Sequence, residues 1–110
     1  VLLERWGINV DVAQTAQQAI EKAKVMDPQI VLMDYQLSNN ENGIEVIEML
    51  RHEMDVVIPA CLITAVRDQA LKETCKEHGV HFMNKPVKPA KLRALLQSMT
   101  RYIDEAAVVD

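Results

Sequence analysis

Short apolar runs alternate with segments of helical period along the chain. That is the pattern of a parallel α/β sheet whose strands are joined by crossover helices. VLLERWG reads as the last turns of a helix, with Gly7 as the residue able to close it in the left-handed region. INVDVA then alternates as a strand. Thr15 and Gln18 have the spacing of a capping box, and Ala16, Ala19, Ile20 and Ala23 form one buried stripe behind them. Pro28 breaks that helix, and IVLM is the continuous apolar run of a strand covered on both faces.

SNNENG reads as a polar loop, after which Asn42 caps a helix with Glu45 reaching back and Val46, Ile47, Leu50 and Met54 on the inner face. Pro59 suits the start of the strand ACLIT. A helix from about Arg67 to Glu77 follows, with Ala70, Leu71 and Cys75 as its stripe and Gly79 as its end, and VHFMN is the next strand. Leu92, Leu95, Leu96, Met99 and Ile103 give the last helix the clearest period of all. The tail AAVVD is expected to fray.

Composition narrows the picture. With 110 residues, 49% of them hydrophobic, residues 1–110 make one domain with one core, without internal repeat or linker. A net charge of -4 offers no basic face for direct nucleic-acid binding or for an anionic membrane. Cys61 and Cys75 have no zinc or CxxC spacing, and no signal peptide or membrane-length apolar run occurs, so a reducing cytoplasmic setting is the expectation. His52, His78 and His81 share no metal-ligand spacing. Trp6 is read as packing the end of the first helix, the methionines as gap-fillers, and the Glu and Lys residues of the helices as solvated faces.

Parallel strands joined by right-handed crossovers present their carboxyl ends along one edge, where ligands of open α/β sheets bind. Asp34 ends IVLM, Thr64 ends CLI, and Lys85 follows HFMN directly before Pro86. Each alone has a plain reading as a cap, a strand threonine or a surface lysine. Together they predict an acid, a hydroxyl and an ammonium converging at one edge.

Through DPQIVLMDYQL, NGIEVIEMLR, IPACLITA and NKPVKPAKLRALL the chain resembles the receiver domain of two-component response regulators. The resemblance implies a flavodoxin-like, CheY-like three-layer sandwich on a five-stranded parallel sheet of order 2-1-3-4-5. It implies that Asp34 accepts a phosphoryl group from a histidine kinase or histidine phosphotransfer protein of a bacterial two-component system or phosphorelay. Thr64 then matches the hydroxyl that bonds the phosphoryl oxygen and Lys85 the lysine that pairs with it. Phe82 matches the aromatic that turns with the hydroxyl residue, and the Lys85–Pro86 bond is cis. The cofactor implied is Mg2+, held by the Asp34 carboxylate and the Gln36 backbone carbonyl. Such a domain is a phosphoacceptor that assists its own phosphorylation and dephosphorylation, not an enzyme in the usual sense, and it leaves room for a homodimer.

Two departures stand out. Receivers begin with a central strand ending in an acidic magnesium-binding pair, and here the chain opens inside the first helix, so the strand and the pair are expected before Val1. Glu4 lies at the wrong end of the helix to replace them. Because losing a central strand strips its neighbours of hydrogen bonds, the expectation is a piece of a longer polypeptide, with a truncated receiver as the alternative. The loop after Asp34 also carries Ser38 where the family commonly has proline, and is one residue longer than the commonest form. Val66 and Gln36 are the neighbours expected to govern phosphoryl lifetime.

The ending KPVKPAKLRALL looks like that of receivers at the C-terminus of hybrid sensor histidine kinases. The alternative function is a pseudo-receiver, an interaction module without phosphotransfer. A nucleotide or flavin enzyme of the same fold is disfavoured, since only three glycines occur and no Gly-rich loop follows a strand.

Overall fold

The computed structural model describes residues 2–37, 41–99 and 105–109. Its elements run α1 (Leu2–Arg5), β1 (Asn9–Ala13), α2 (Ala16–Met26), β2 (Ile30–Asp34), α3 (Gly43–Met54), β3 (Ala60–Thr64), α4 (Gln69–Glu77), β4 (His81–Asn84), α5 (Pro89–Met99) and β5 (Glu105–Val109). The five strands form one sheet in the order β1-β5-β2-β3-β4, with every pairing parallel.

Local chemistry sets most boundaries. Gly7 closes α1 at φ 77 and Gly79 ends the α4 turn at φ 64. Thr15 Oγ1 accepts from the Gln18 N–H, while the Gln18 side chain accepts from the Gln14 N–H, one residue short of a reciprocal box. Asn42 Oδ1 accepts from the Glu45 N–H at the head of α3. Helix α4 starts at Gln69 because Asp68 caps it through the Ala70 N–H, two residues later than Arg67. Ala70 is exposed, so only Leu71 and Cys75 of its expected stripe are buried. Ile103 and the residues 38–40 of the polar loop lie outside the described residues.

Two apolar layers sandwich the sheet. One holds Ala19, Ala23, Val31, Met33, Ile47, Leu50, Leu62 and Cys75 with the inner faces of α2, α3 and α4. The other holds Leu3, Ile8, Ile30, Leu32, Cys61, Leu92 and Leu96 with α1 and α5. Strand β2 feeds both layers, with Ile30 through Met33 all buried. Trp6 packs against the second layer and lies 5.4 Å beneath the Arg93 guanidinium. Cys61 and Cys75 are both buried free thiols.

The C-terminal segment overturns one expectation. Ala106–Val109 does not fray. It belongs to β5, the sheet's inner strand between β1 and β2, and Ala106 and Val109 are buried. The reason is backbone accounting: a position between two strands satisfies the segment's N–H and C=O groups on both sides, which no surface position can do.

Candidate functional site

Strands β2, β3 and β4 bring Asp34, Thr64 and Asn84 to their carboxyl ends, one strand apart, with Lys85 next in the chain. Lys85 Nζ donates to Asp34 Oδ2 at 2.8 Å, joining residues that are 51 positions apart. The other carboxylate oxygen, Oδ1, accepts from the Gln36 N–H at 3.2 Å. The Lys85 side chain is 46% exposed and that of Asp34 20%. The acid is thus recessed, and its cationic partner reaches in from the rim.

Thr64 is the one buried polar side chain of the described core, 3% exposed. Its Oγ1 accepts from the Val66 N–H at 3.0 Å, and its carbonyl accepts from the Lys85 N–H at 2.9 Å. The Asn84 amide donates to the Thr64 and Val66 carbonyls at 3.1 and 2.9 Å. The β3 exit is therefore laced to the residue that precedes the lysine. The Lys85–Pro86 peptide is cis. Phe82, half-buried and level with Leu62, packs against the first apolar layer, as does Val66.

The loop after Asp34 is shaped by α3. Gln36 pairs with Asn42 in an isolated bridge whose hydrogen bonds come from its neighbours, Leu37 N–H to the Glu41 carbonyl and Gly43 N–H to the Tyr35 carbonyl. That bridge leaves the Gln36 carbonyl outside its own hydrogen bonding. Gly43 sits where a Cβ would lie 2.4 Å from the Asp34 carbonyl oxygen and 2.7 Å from both the Met33 and Leu62 side chains. Only a residue without a side chain lets α3 start this close to the acid.

Beside the site, Arg67, Phe82, Lys85, Lys88 and Lys91 line a recess of about 380 Å³. Phe82 also lines a second recess, with Lys72, Lys76 and Gly79. A half-buried ring thus connects the site with the surface of α4. Among the described residues no cluster of three or more His, Cys, Asp or Glu side chains could hold a metal ion. One carboxylate and one backbone carbonyl, Asp34 and Gln36, are nevertheless oxygen donors of the kind magnesium takes while it keeps several waters.

Sequence reasoning named Asp34, Thr64, Lys85, Phe82, Gln36 and Pro86, and the structure puts them around one edge. It passed over Gly43, Asn84 and Arg51. The Asn-Gly pair at the head of α3 and the Asn preceding Lys-Pro are visible signals for the first two. Arg51 carries no sequence signal, because its partners are carbonyls contributed by distant turns.

Comparison with known proteins places this arrangement. A profile described as the response regulator receiver domain matches residues 1–97. The chain is 30% identical, over 96% of its length, to the alkaline phosphatase synthesis transcriptional regulatory protein PhoP of Bacillus subtilis, and spans 43% of that protein. It is 28% identical, over 80% of its length, to the osmosensing histidine protein kinase SLN1 of Saccharomyces cerevisiae, and spans 8% of it. Among solved structures, the chemotaxis protein CheY4 of Vibrio cholerae superposes with a TM-score of 0.80 at 22% identity, over 90% of this chain and 83% of that one. A two-component response regulator from Clostridium difficile gives 0.79 at 21% identity, over 91% and 81%.

Proposed function

Since the chain belongs to the response regulator receiver domain family, we propose that its site accepts a phosphoryl group on Asp34 from a phosphohistidine of a histidine kinase or phosphotransfer protein. An Asp34 carboxylate oxygen attacks phosphorus, the bond from phosphorus to the histidine nitrogen breaks, and the departing imidazole keeps the electron pair and takes up a proton. The product is an acyl phosphate at the sheet edge. The observation that carries this reading is the 2.8 Å contact of Lys85 with Asp34 at the carboxyl ends of neighbouring strands. That ammonium is positioned to pair with the equatorial oxygens as their charge develops.

Asp34 and the Gln36 carbonyl are the described groups that would hold Mg2+, which when bound supplies further positive charge against the phosphoryl oxygens. The Thr64 hydroxyl gives up the Val66 N–H to reach a phosphoryl oxygen, and Phe82 turns into the space it vacates. Both moves change the α4 and β4 surface. Val66 and Gln36 flank the path of attacking water and so set how long the acyl phosphate lasts. The proposed setting is a receiver attached to a sensor kinase, the architecture that the KPVKPAKLRALL ending resembles, with that kinase or a phosphotransfer protein as partner. No described helix is long and apolar enough to cross a membrane.

The test is incubation with acetyl phosphate or phosphoramidate and magnesium, followed by intact mass. One phosphoryl adduct is expected on the wild type and none on Asp34→Asn. An unmodified wild type, or an equal adduct on the variant, overturns the reading.

A further inference from the structure

We propose that Asn84 is a positioning residue for phosphoryl uptake. Its side-chain amide anchors Val66, and the anchored Val66 N–H holds the Thr64 hydroxyl in the orientation it must leave to meet a phosphoryl oxygen. The inference deepens the phosphoacceptor reading and rests on it, and it gives a role to a residue which that reading does not use.

The β3–β4 ladder ends at the pair Thr64↔Asn84, and beyond it the chain leaves the sheet for the Asp68 cap of α4. The Asn84 side chain takes over where the ladder stops. Its amide donates to the Thr64 carbonyl at 3.1 Å and to the Val66 carbonyl at 2.9 Å, both part-buried. A carboxamide is a short side chain with two N–H donors, and both are used here. Because both neighbours are carbonyl oxygens, the amide meets them through its nitrogen.

The two bonds are not equivalent. The Thr64 carbonyl also accepts from the Lys85 N–H at 2.9 Å, so it stays satisfied without Asn84. Among the described residues, the Val66 carbonyl has the Asn84 amide as its donor. What depends on Asn84 is therefore Val66, and the N–H of that same residue donates to Thr64 Oγ1 at 3.0 Å. Residues 64–66 form a turn fastened at one end by Thr64 and at the other by Asn84. Thr64 is buried, so its hydroxyl exchanges one protein partner for a phosphoryl oxygen with little help from water. Asn84 also stands directly before Lys85, whose Nζ reaches Asp34 Oδ2 at 2.8 Å, so one residue spaces the hydroxyl and the ammonium. A bond made only before transfer favours the unphosphorylated state, and its loss raises the population from which uptake proceeds. For a neutral hydrogen bond that is about two- to tenfold.

Asn84→Leu, which keeps the size of the side chain and removes both donors, tests this in the full chain. Without a phosphodonor, its Val66 amide is expected to exchange with deuterium about two- to tenfold faster than in the wild type, with Val31–Met33 unchanged as the sign of an intact fold. Asn84→Ala, with the same expectations, replaces it if those core amides lose protection. With phosphoramidate and magnesium, intact mass is expected to show the adduct on Asp34 forming faster by a similar factor. In a Thr64→Val background the same substitution is expected to leave the adduct rate unchanged, because the hydroxyl through which Asn84 acts is gone. Wild-type exchange at Val66 overturns the inference. So does an adduct rate that is unchanged or slower, or one that rises equally with and without the Thr64 hydroxyl. Each of these failures leaves the Asp34 reading standing, whereas a wild type that takes up no phosphoryl group removes that reading and the inference together.

Discussion

Under the proposed phosphoacceptor reading, Lys85 is a contact that matters for chemistry and little for stability. A pair whose lysine is 46% exposed is screened by solvent and contributes about 0–1 kcal/mol. Lys85→Ala is therefore expected to unfold within that margin of the wild type in urea, while amide spectra of α4 and β4 lose most of their change on phosphorylation. Full spectral change in that variant would remove Lys85 from its assigned role. Gly43 is the opposite case. The nearest atom to its missing Cβ is a backbone oxygen, which cannot rotate away as a flexible side chain can. Gly43→Ala should cost about 1–3 kcal/mol by forcing α3 and β2 apart, and should slow phosphorylation of Asp34 because the displaced carbonyl is its own. Urea midpoints and adduct formation rates check the two halves. Of these residues Lys85 was legible in the sequence through its motif. The closeness at Gly43 was not, since a contact between a helix head and a strand end has no local pattern.

At the scale of elements, a partly buried arginine on α3 fastens the end of α4. Arg51, with a side chain 9% exposed, donates to the carbonyls of His78 at 2.6 Å, Gly79 at 3.0 Å and Ile58 at 3.1 and 3.2 Å, with Glu48 alongside at 3.5 Å. These carbonyls close α4 and precede β3, so one guanidinium ties three segments together. Its removal leaves four charge-assisted hydrogen bonds unmade, the two to the Ile58 carbonyl at a part-buried place. Arg51→Ala should cost about 2–3 kcal/mol and accelerate amide exchange at the end of α4 more than in α2. Arg51→Lys should recover only part, because an ammonium lacks the planar fork. The sequence reading passed over this residue, because helical period carries no sign of what covers a helix face. Which loops lie above a helix face is decided by the fold.

For the molecule as a whole, the sandwich buries two thiols, one in each layer. Burial, with a smaller contribution from Cys75, pushes Cys61 up to about 12 from its ordinary 9.0, and burial raises Cys75 in the same direction. A raised acid is held neutral in the folded state, so its contribution is fully present below pH 9.0. It is lost as pH climbs from 9.0 towards about 12, where the unfolded chain ionises and the folded one resists. Urea midpoints measured across that range should fall more steeply for the wild type than for Cys61→Ala. Equal slopes would mean that the thiol is hydrated in the folded state. The same sandwich is fed by β5 on both sides, since its four apolar residues divide between the two layers.

The sequence by itself determined what short-range chemistry can specify. Caps at Thr15 and Asn42, the left-handed closures at Gly7 and Gly79, the two-sided burial of IVLM and the phase of each helix all depend on residues a few positions apart. The places of Asp34, Thr64 and Lys85 after three apolar runs predicted their convergence at one edge, and the family resemblance implied their roles. Only the tertiary structure decided the neighbour of each strand. AAVV has the same continuous apolar signature as IVLM, yet a run near the chain's end reads equally well as a frayed tail. What distinguishes the two is a strand partner on each side, and for residues 105–109 those partners are residues 9–13 and 30–34. Strand pairing is a long-range hydrogen-bonding decision, and no window of local sequence contains both partners.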